Sequence, residues 1–354
     1  MSLQLPAFAP WQQRMYAQTT AALDSGRLGH GLLLCGPAQL GKRLLAERLA
    51  QRMLCTARDS AGEPCGHCRS CQLFENRYQR DPAEQRPDGM PAHPFGHSGH
   101  PDLTCVGYEW NDKARPPRLR TELVIEQIRL ISEKLSLTPQ YGGAQIVILD
   151  PADAINHAAC NALLKTLEEP QPGRYLWLIS ANPMRLPATI RSRCQRLEMR
   201  LPPLDEAQAW LLAQGHADAI AREALTAARG HPGLADRWLR DGGLELRREI
   251  ATDLQAIGRG DKSPLDTAKR WADAADLDQR LRHAADLALS EAGRLTDPIR
   301  IRTLAIWFDA ANRTRDLLRT TVRADLALAE LLAQWRGPGK AAGGGSQQSS
   351  GARR

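Results

Sequence analysis

The chain has no run of the ~18 consecutive apolar residues that a membrane-spanning helix needs, so a membrane span is not expected. Its first residues, Met1-Ser2-Leu3-Gln4-Leu5-Pro6, lack a charged segment followed by an apolar one, so no secretory leader is expected either. A cytoplasmic protein is the resulting expectation. Thiols stay reduced there, and the eight cysteines need an explanation other than disulfides. Two further absences are chemical. Residues 36–43 read Gly-Pro-Ala-Gln-Leu-Gly-Lys-Arg, a phosphate-cradling loop of the form G-x-x-x-x-G-K-[ST] that lacks its final hydroxyl. That hydroxyl coordinates Mg²⁺, and Arg43 stands in its place. A second apolar run, Gln145 to Leu149, ends in Asp150, but the next residue is Pro151, which can accept no proton. Hydrolysis of a nucleoside triphosphate needs both a metal and a residue that positions water, so ATP hydrolysis is not expected.

What is present keeps the context of such a loop. Gly31 to Cys35 reads as a buried strand, and Leu44 to Ala50 as an amphipathic helix. A strand, a glycine loop and a helix start aim backbone N–H groups and the helix dipole at an anion. Gly36, Gly41 and Lys42 are the candidate phosphate-binding residues, and Asp150 is the candidate metal-binding strand end. A plain glycine-rich turn with a solvated lysine is the simpler alternative. The residues alone do not say whether nucleotide still binds.

Cys55, Cys65, Cys68 and Cys71 have the spacing C-x9-C-x2-C-x2-C. Four thiolates satisfy tetrahedral Zn²⁺ and leave no open position for water, which points to a structural zinc module over 55–71. Cys35, Cys105, Cys160 and Cys194 stand singly in apolar or helical contexts and read as small core residues. Five prolines lie between Pro82 and Pro101, so 76–101 reads as an exposed, mobile loop whose His93, His97 and His100 are solvated rather than a second metal site. Val124, Ile128, Ile131 and Leu135 share a helical core face. Tyr175 to Ile179 is another buried strand. Alternating strands and helices imply a mostly parallel sheet covered on both faces. From Leu201 onward the strand pattern stops and helices follow, broken near Gly230-His231-Pro232-Gly233 and Gly258-Arg259-Gly260. Residues 337–354 read as a disordered tail. The net charge of +7 permits contact with nucleic acid without requiring it.

The stretch Asn161-Ala162-Leu163-Leu164-Lys165-Thr166-Leu167-Glu168-Glu169-Pro170, with Ser192-Arg193-Cys194 downstream, closely resembles the bacterial clamp-loader subunits of DNA polymerase III. These are AAA+ proteins that place a ring-shaped sliding clamp on primed DNA. The order of loop, cysteine module, strand ending in aspartate and these two motifs covers roughly residues 10–200. The resemblance implies an α/β AAA+ domain with an inserted zinc module over 1–200, a small helical lid over 201–241 and a C-terminal helical collar over 242–336. Motor subunits of the family keep Thr or Ser after the loop lysine and Glu after the strand aspartate. Here Arg43 and Pro151 match those positions, and Gly233 matches the lid arginine. The chain therefore looks like the family member without motor activity, a rigid stator. In the family the Ser-Arg-Cys arginine, here Arg193, projects into a neighbour's ATP site, where a guanidinium stabilises the transferring phosphoryl group. Ser180 and Asn182 match a polar γ-phosphate sensor, or cap the strand end.

The resemblance implies a hetero-pentameric core with motor subunits (gamma/tau) and a clamp-opening subunit (delta), acting on a sliding clamp and primer-template DNA, rather than a homo-oligomer. It implies structural Zn²⁺ as the cofactor. Two alternatives compete: an active AAA+ motor with an unusual loop, and a zinc-bearing DNA-binding protein carried by its basic charge.

Overall fold

The computed structural model describes residues 5–335 except Asp88, Asp112, Gly142 and Arg319, so the expected tail at 337–354 lies outside the described residues. In chain order the strands are β1 (Gly31–Cys35), β2 (Arg77–Tyr78), β3 (His97–Ser98), β4 (Leu103–Val106), β5 (Trp110–Asn111), β6 (Arg118–Leu119), β7 (Gln145–Leu149), β8 (Arg174–Ser180) and β9 (Gln195–Glu198). The helices up to the last strand are α1 (Pro10–Asp24), α2 (Lys42–Leu54), α3 (Arg69–Glu75), α4 (Ile125–Ser136), α5 (His157–Glu168) and α6 (Ala188–Arg191). Beyond them lie α7 (Leu204–Ala213), α8 (Asp218–Ala227), α9 (Pro232–Asp241), α10 (Gly243–Arg259), α11 (Pro264–Ala272), α12 (Leu277–Ala292), α13 (Pro298–Leu317) and α14 (Ala324–Gln334). The chain forms two compact units, Met1–Asp236 and Arg237–Arg354.

The first unit is built on a five-stranded sheet in the order β4-β7-β8-β1-β9, with every pairing parallel. Leu32, Leu34, Ile146, Ile148, Trp177 and Ile179 face one side and pack with Tyr16 of α1, Leu45 and Leu49 of α2, and Phe74. Leu33, Val147, Leu149, Leu176 and Leu178 face the other side and pack with Ile128 and Ile131 of α4 and Leu163 and Leu167 of α5. Burial on both faces is why these strands read as unbroken apolar runs. The edge strand β9 is mostly exposed and polar, so it gave no apolar signal. Asn156 caps α5, its Oδ1 accepting the Ala159 N–H at 3.0 Å.

The 76–101 segment departs from the expected solvated loop. His93, His97 and His100 are all buried. The β2–β3 pair closes the segment, and the His100 ring is fixed between Ser70 Oγ at 2.8 Å and the Asp102 N–H at 3.1 Å.

The second unit is helical. Ile250, Leu254, Trp271, Leu281, Trp307, Leu331 and Trp335 form its core. The indole N–H groups of Trp307 and Trp335 donate to the carbonyls of Leu331 and Leu254 at 2.9 and 2.7 Å. Buried Asp253 accepts from Lys262 Nζ at 2.8 Å, Arg270 Nη2 at 2.6 Å and Trp271 Nε1 at 3.0 Å. Burial alone raises a carboxyl group's pKa, but these donors outweigh it and hold Asp253 below its ordinary 3.8. A folded pKa below the unfolded one contributes stability that is present above the unfolded value and lost as pH falls through the folded value. Asp253→Ala is therefore expected to destabilise this unit by about 1–3 kcal/mol at neutral pH, with the loss shrinking below pH 3.8. Denaturant unfolding followed across pH checks this, and an equal loss at neutral and strongly acidic pH contradicts it.

Candidate functional site

The glycine loop follows β1 and opens α2. Gly36 has φ +134, and a Cβ there would lie 2.0 Å from the Met199 carbonyl oxygen. Gly41 has φ +88, and a Cβ there would lie 2.0 Å from Gln12 Nε2. The Met199 carbonyl leaves no room for a side chain at Gly36, and the left-handed φ favours glycine at Gly41. Helix α1 fixes the loop from outside, since Trp11 Nε1 and Gln12 Nε2 both donate to the Leu40 carbonyl, at 3.1 and 2.9 Å.

Lys42 turns back on its own loop. Its Nζ donates to the carbonyl oxygens of Gly36 and Pro37 at 2.7 and 2.6 Å. Burial pushes its pKa down to about 8. From the α9 side, His231 Nε2 donates to the Ala38 carbonyl at 2.7 Å while its Nδ1 accepts the Leu234 N–H at 3.1 Å. Gly233 sits so close that a Cβ would meet the Gln39 carbonyl oxygen at 2.0 Å. An arginine at 233 cannot fit against the loop in this arrangement.

Arg43, at the position of the missing hydroxyl, has a buried side chain. Its Nε donates to Glu47 Oε1 at 2.5 Å, one helical turn along α2. Its Nη1 lies 3.6 Å from Asp150 Oδ2, and its Nη2 donates to His93 Nδ1 at 3.2 Å. The guanidinium thus pairs with the strand-end carboxylate that a metal ion would otherwise neutralise. Arg77 Nη1 is 2.6 Å from Glu47 Oε2, and Arg86 Nη1 is 3.9 Å from Asp150 Oδ1. Burial nevertheless outweighs the cations and holds the Asp150 pKa above the ordinary aspartate value. Asp153 is occupied otherwise, accepting the Ala181 N–H at 3.3 Å. Neither sensor candidate acts as a cap: Ser180 Oγ is buried with no hydrogen-bond partner, and Asn182 makes no side-chain capping bond.

Glu84, His93 and His97 converge with their ligand atoms within 4.8 Å of one another, an arrangement that resembles a metal site. The donor set is already spent. Arginine can only donate, so His93 Nδ1 is an acceptor and its proton sits on Nε2, the atom that faces Glu84 at 3.8 Å. Burial, with Arg43, His97 and Arg80 adding, pushes the His93 pKa down to about 2, so the ring is neutral. His97 Nε2 donates to Glu84 Oε2 at 2.6 Å, and Arg80 Nη1 donates to Glu84 Oε1 at 2.8 Å. The cluster ties the 77–98 segment to Arg43 rather than presenting lone pairs to an ion. The sequence reading passed over Glu47, Glu84 and Arg77. The four-residue spacing of Arg43 and Glu47 was the available signal.

The four cysteines do come together. Their sulfurs lie within 4.8 Å of one another, with Cys55 Sγ 3.7 Å from Cys65 Sγ and 3.8 Å from Cys68 Sγ. Cys55 ends α2, and Cys68 caps α3. The N–H groups of Cys65, Cys68 and Cys71 donate to the sulfurs of Cys55, Cys65 and Cys68 at 3.3–3.4 Å. The set can hold a metal ion. Salt bridges from Arg52 to Asp24 and Glu63 brace the approach to it.

Arg193 lies apart from these groups, after the short helix α6. Its Nη2 is 2.6 Å from Glu168 Oε1, its Nη1 donates to the Thr189 carbonyl at 2.9 Å, and its side chain is 36% exposed.

A parallel sheet of this order, with a glycine loop after β1 and an aspartate at the end of β7, defines a P-loop domain of the AAA+ kind, here with an arginine beside the strand-end carboxylate. The profile of the family described as DNA polymerase III, delta subunit, matches residues 11–203, and the chain belongs to that family. It is similar to the DNA polymerase III subunit delta' of Pseudomonas aeruginosa, 32% identical over 265 residues, covering 74% of this chain and 70% of the relative. It is also similar to the DNA polymerase III subunit tau/gamma of Haemophilus influenzae, 28% identical over 197 residues, covering 56% of this chain and 24% of the relative. A DNA polymerase III gamma subunit-related protein from Thermotoga maritima aligns at TM-score 0.47 and 14% identity, covering 92% of this chain and 98% of that one.

Arg43→Ala leaves Glu47, Asp150 and His93 buried with one partner fewer. Breaking a buried pair in this way costs about 3–5 kcal/mol, and the variant should unfold at correspondingly lower denaturant. A loss under about 0.5 kcal/mol, the scale of an ordinary surface substitution, contradicts this account of the site.

Proposed function

We propose that the chain works in the cytoplasm as a delta'-type, non-motor subunit of a DNA polymerase III clamp loader. It assembles with gamma/tau-type motor subunits and a clamp-opening delta subunit, in a hetero-pentameric core that loads a sliding clamp onto primer-template DNA. It braces that complex and donates Arg193 in trans to a neighbour's ATP site. Its own loop does not turn over nucleotide. The observation that carries this reading is the Arg43 guanidinium, paired with Asp150 where catalysis would need a metal. Lys42 on the loop carbonyls and Gly233 against Gln39 support it further. The division into an AAA+ domain over 1–200, a lid over 201–241 and a collar over 242–336 belongs to the same proposal.

The metal at Cys55, Cys65, Cys68 and Cys71 is proposed to be structural Zn²⁺. A tetrahedral ion with Zn–S bonds of about 2.3 Å spaces its sulfurs about 3.8 Å apart, and the measured 3.7 and 3.8 Å fit that spacing. The module closes the end of α2, so the ion stabilises the fold and takes no part in a reaction.

Reconstituted with its partner subunits, the Arg193→Ala protein should assemble normally while DNA-stimulated ATPase of the complex falls several-fold. The isolated chain should show no ATPase. Unchanged complex activity with Arg193→Ala refutes the donated arginine, and turnover by the isolated chain that vanishes in Lys42→Ala refutes the non-motor reading. Metal analysis is expected to give about one zinc per chain, lost together with thermal stability in Cys68→Ser. A metal-free wild-type chain of normal stability removes the zinc proposal.

A further inference from the structure

Arg193 is held in the isolated chain before any neighbour arrives. Nη2 is 2.6 Å from Glu168 Oε1, and Nη1 donates to the Thr189 carbonyl at 2.9 Å. Glu168 is the last residue of α5, and Thr189 lies in α6, which ends at Arg191. At the end of α5 the carboxylate is joined by the negative end of the helix dipole. A guanidinium has five N–H groups in a rigid planar fork. One Nη1 N–H is donated to the Thr189 carbonyl, Nη2 is ion-paired with Glu168, and the guanidinium has no other partner among the described residues. With the side chain's covalent attachment as a third point, anchoring both terminal nitrogens restricts the plane in which the remaining donors lie.

We propose that Glu168 is a positioning residue for Arg193, fixing the plane of the guanidinium so that its free N–H edge is already aimed at an anionic group, a nucleotide phosphate, on an adjoining subunit. The proposal rests on the reading of Arg193 as a donated residue. A long side chain free in solvent gives up rotamer freedom when it docks. Held by Glu168, Arg193 has given up that freedom beforehand, and more of its attraction for the phosphate is expressed at the transition state. Glu169, the exposed neighbour, has the same charge and no contact with Arg193, so charge alone is separable from contact.

The test uses the reconstituted complex, with DNA-stimulated ATPase measured for wild type, Glu168→Gln, Glu169→Gln, Arg193→Ala and the Glu168→Gln/Arg193→Ala double variant. An exposed ion pair moves equilibria by only a small factor. Glu168→Gln is therefore expected to lower kcat roughly two- to fivefold with KM for ATP and assembly unchanged, while Glu169→Gln matches wild type. The double variant should be no slower than Arg193→Ala alone. Wild-type kcat in Glu168→Gln beside a slow Arg193→Ala overturns the role of Glu168 and leaves the donated arginine standing. A raised kcat in Glu168→Gln makes it a restraint instead, and losses that add in the double variant make it merely structural; either overturns the proposal. Wild-type rates for both single variants remove the donated arginine itself.

Discussion

The first unit is organised around one buried guanidinium. Arg43 reaches Glu47 on its own helix, Asp150 at the end of β7 and His93 in the 77–98 segment. Each of those groups would be unstable alone. Glu47 and Asp150 are carboxylates with almost no access to water, and an uncompensated buried charge is strongly unfavourable. Arg43, joined by Arg77 at Glu47 and Arg86 at Asp150, faces both and fixes the histidine tautomer as a consequence. His93 then turns an N–H toward Glu84 at 3.8 Å, and Glu84 itself accepts from His97 and Arg80. Removing the cation would disturb the helix, the strand end and the inserted segment together.

Much of this domain was legible in the chain, and the reason is physical. Strands buried on both faces must be apolar at every position, so β1, β7 and β8 stood out as runs. The loop glycines were legible because their backbone angles and close neighbours admit nothing else. The cysteine spacing was legible because metal geometry limits the chain between ligands. The segment 76–101 was misread because proline content reports local backbone preference and says nothing about distant partners. His93 is buried by Arg43, fifty positions earlier in the chain, and no local pattern encodes that pairing. The edge strand β9 was missed for a related reason: one side of it is open, so Gln195, Arg196 and Glu198 could stay polar.

Arg43 and Arg193 are the same residue type with opposite fates, and burial decides between them. Arg43 is enclosed, and its guanidinium faces only groups of its own chain. Arg193 keeps solvent access, with one hydrogen bond from Nη1 to Thr189 and an ion pair from Nη2 to Glu168. An arginine of the first kind stabilises a fold. One of the second kind has binding capacity left for something outside it.

These two fates fit the proposed role of a brace. A nucleotide drives conformational change only through a difference in its affinity for two states. A metal-bound nucleotide supplies that difference because it can be bound, hydrolysed and released. Arg43 is covalently part of the chain and can do none of these. On that proposed reading, a loop closed by its own lysine, with an internal cation beside its carboxylate, exchanges no ligand with which to select between conformations. In the proposed role the consequence is constancy: the strand end bearing Asp150, the loop and the groups packed on them are to keep one arrangement while the neighbours change theirs. An arginine offered to a neighbour benefits from that constancy, because its aim depends on helix ends that do not shift with the state of a nucleotide in its own domain.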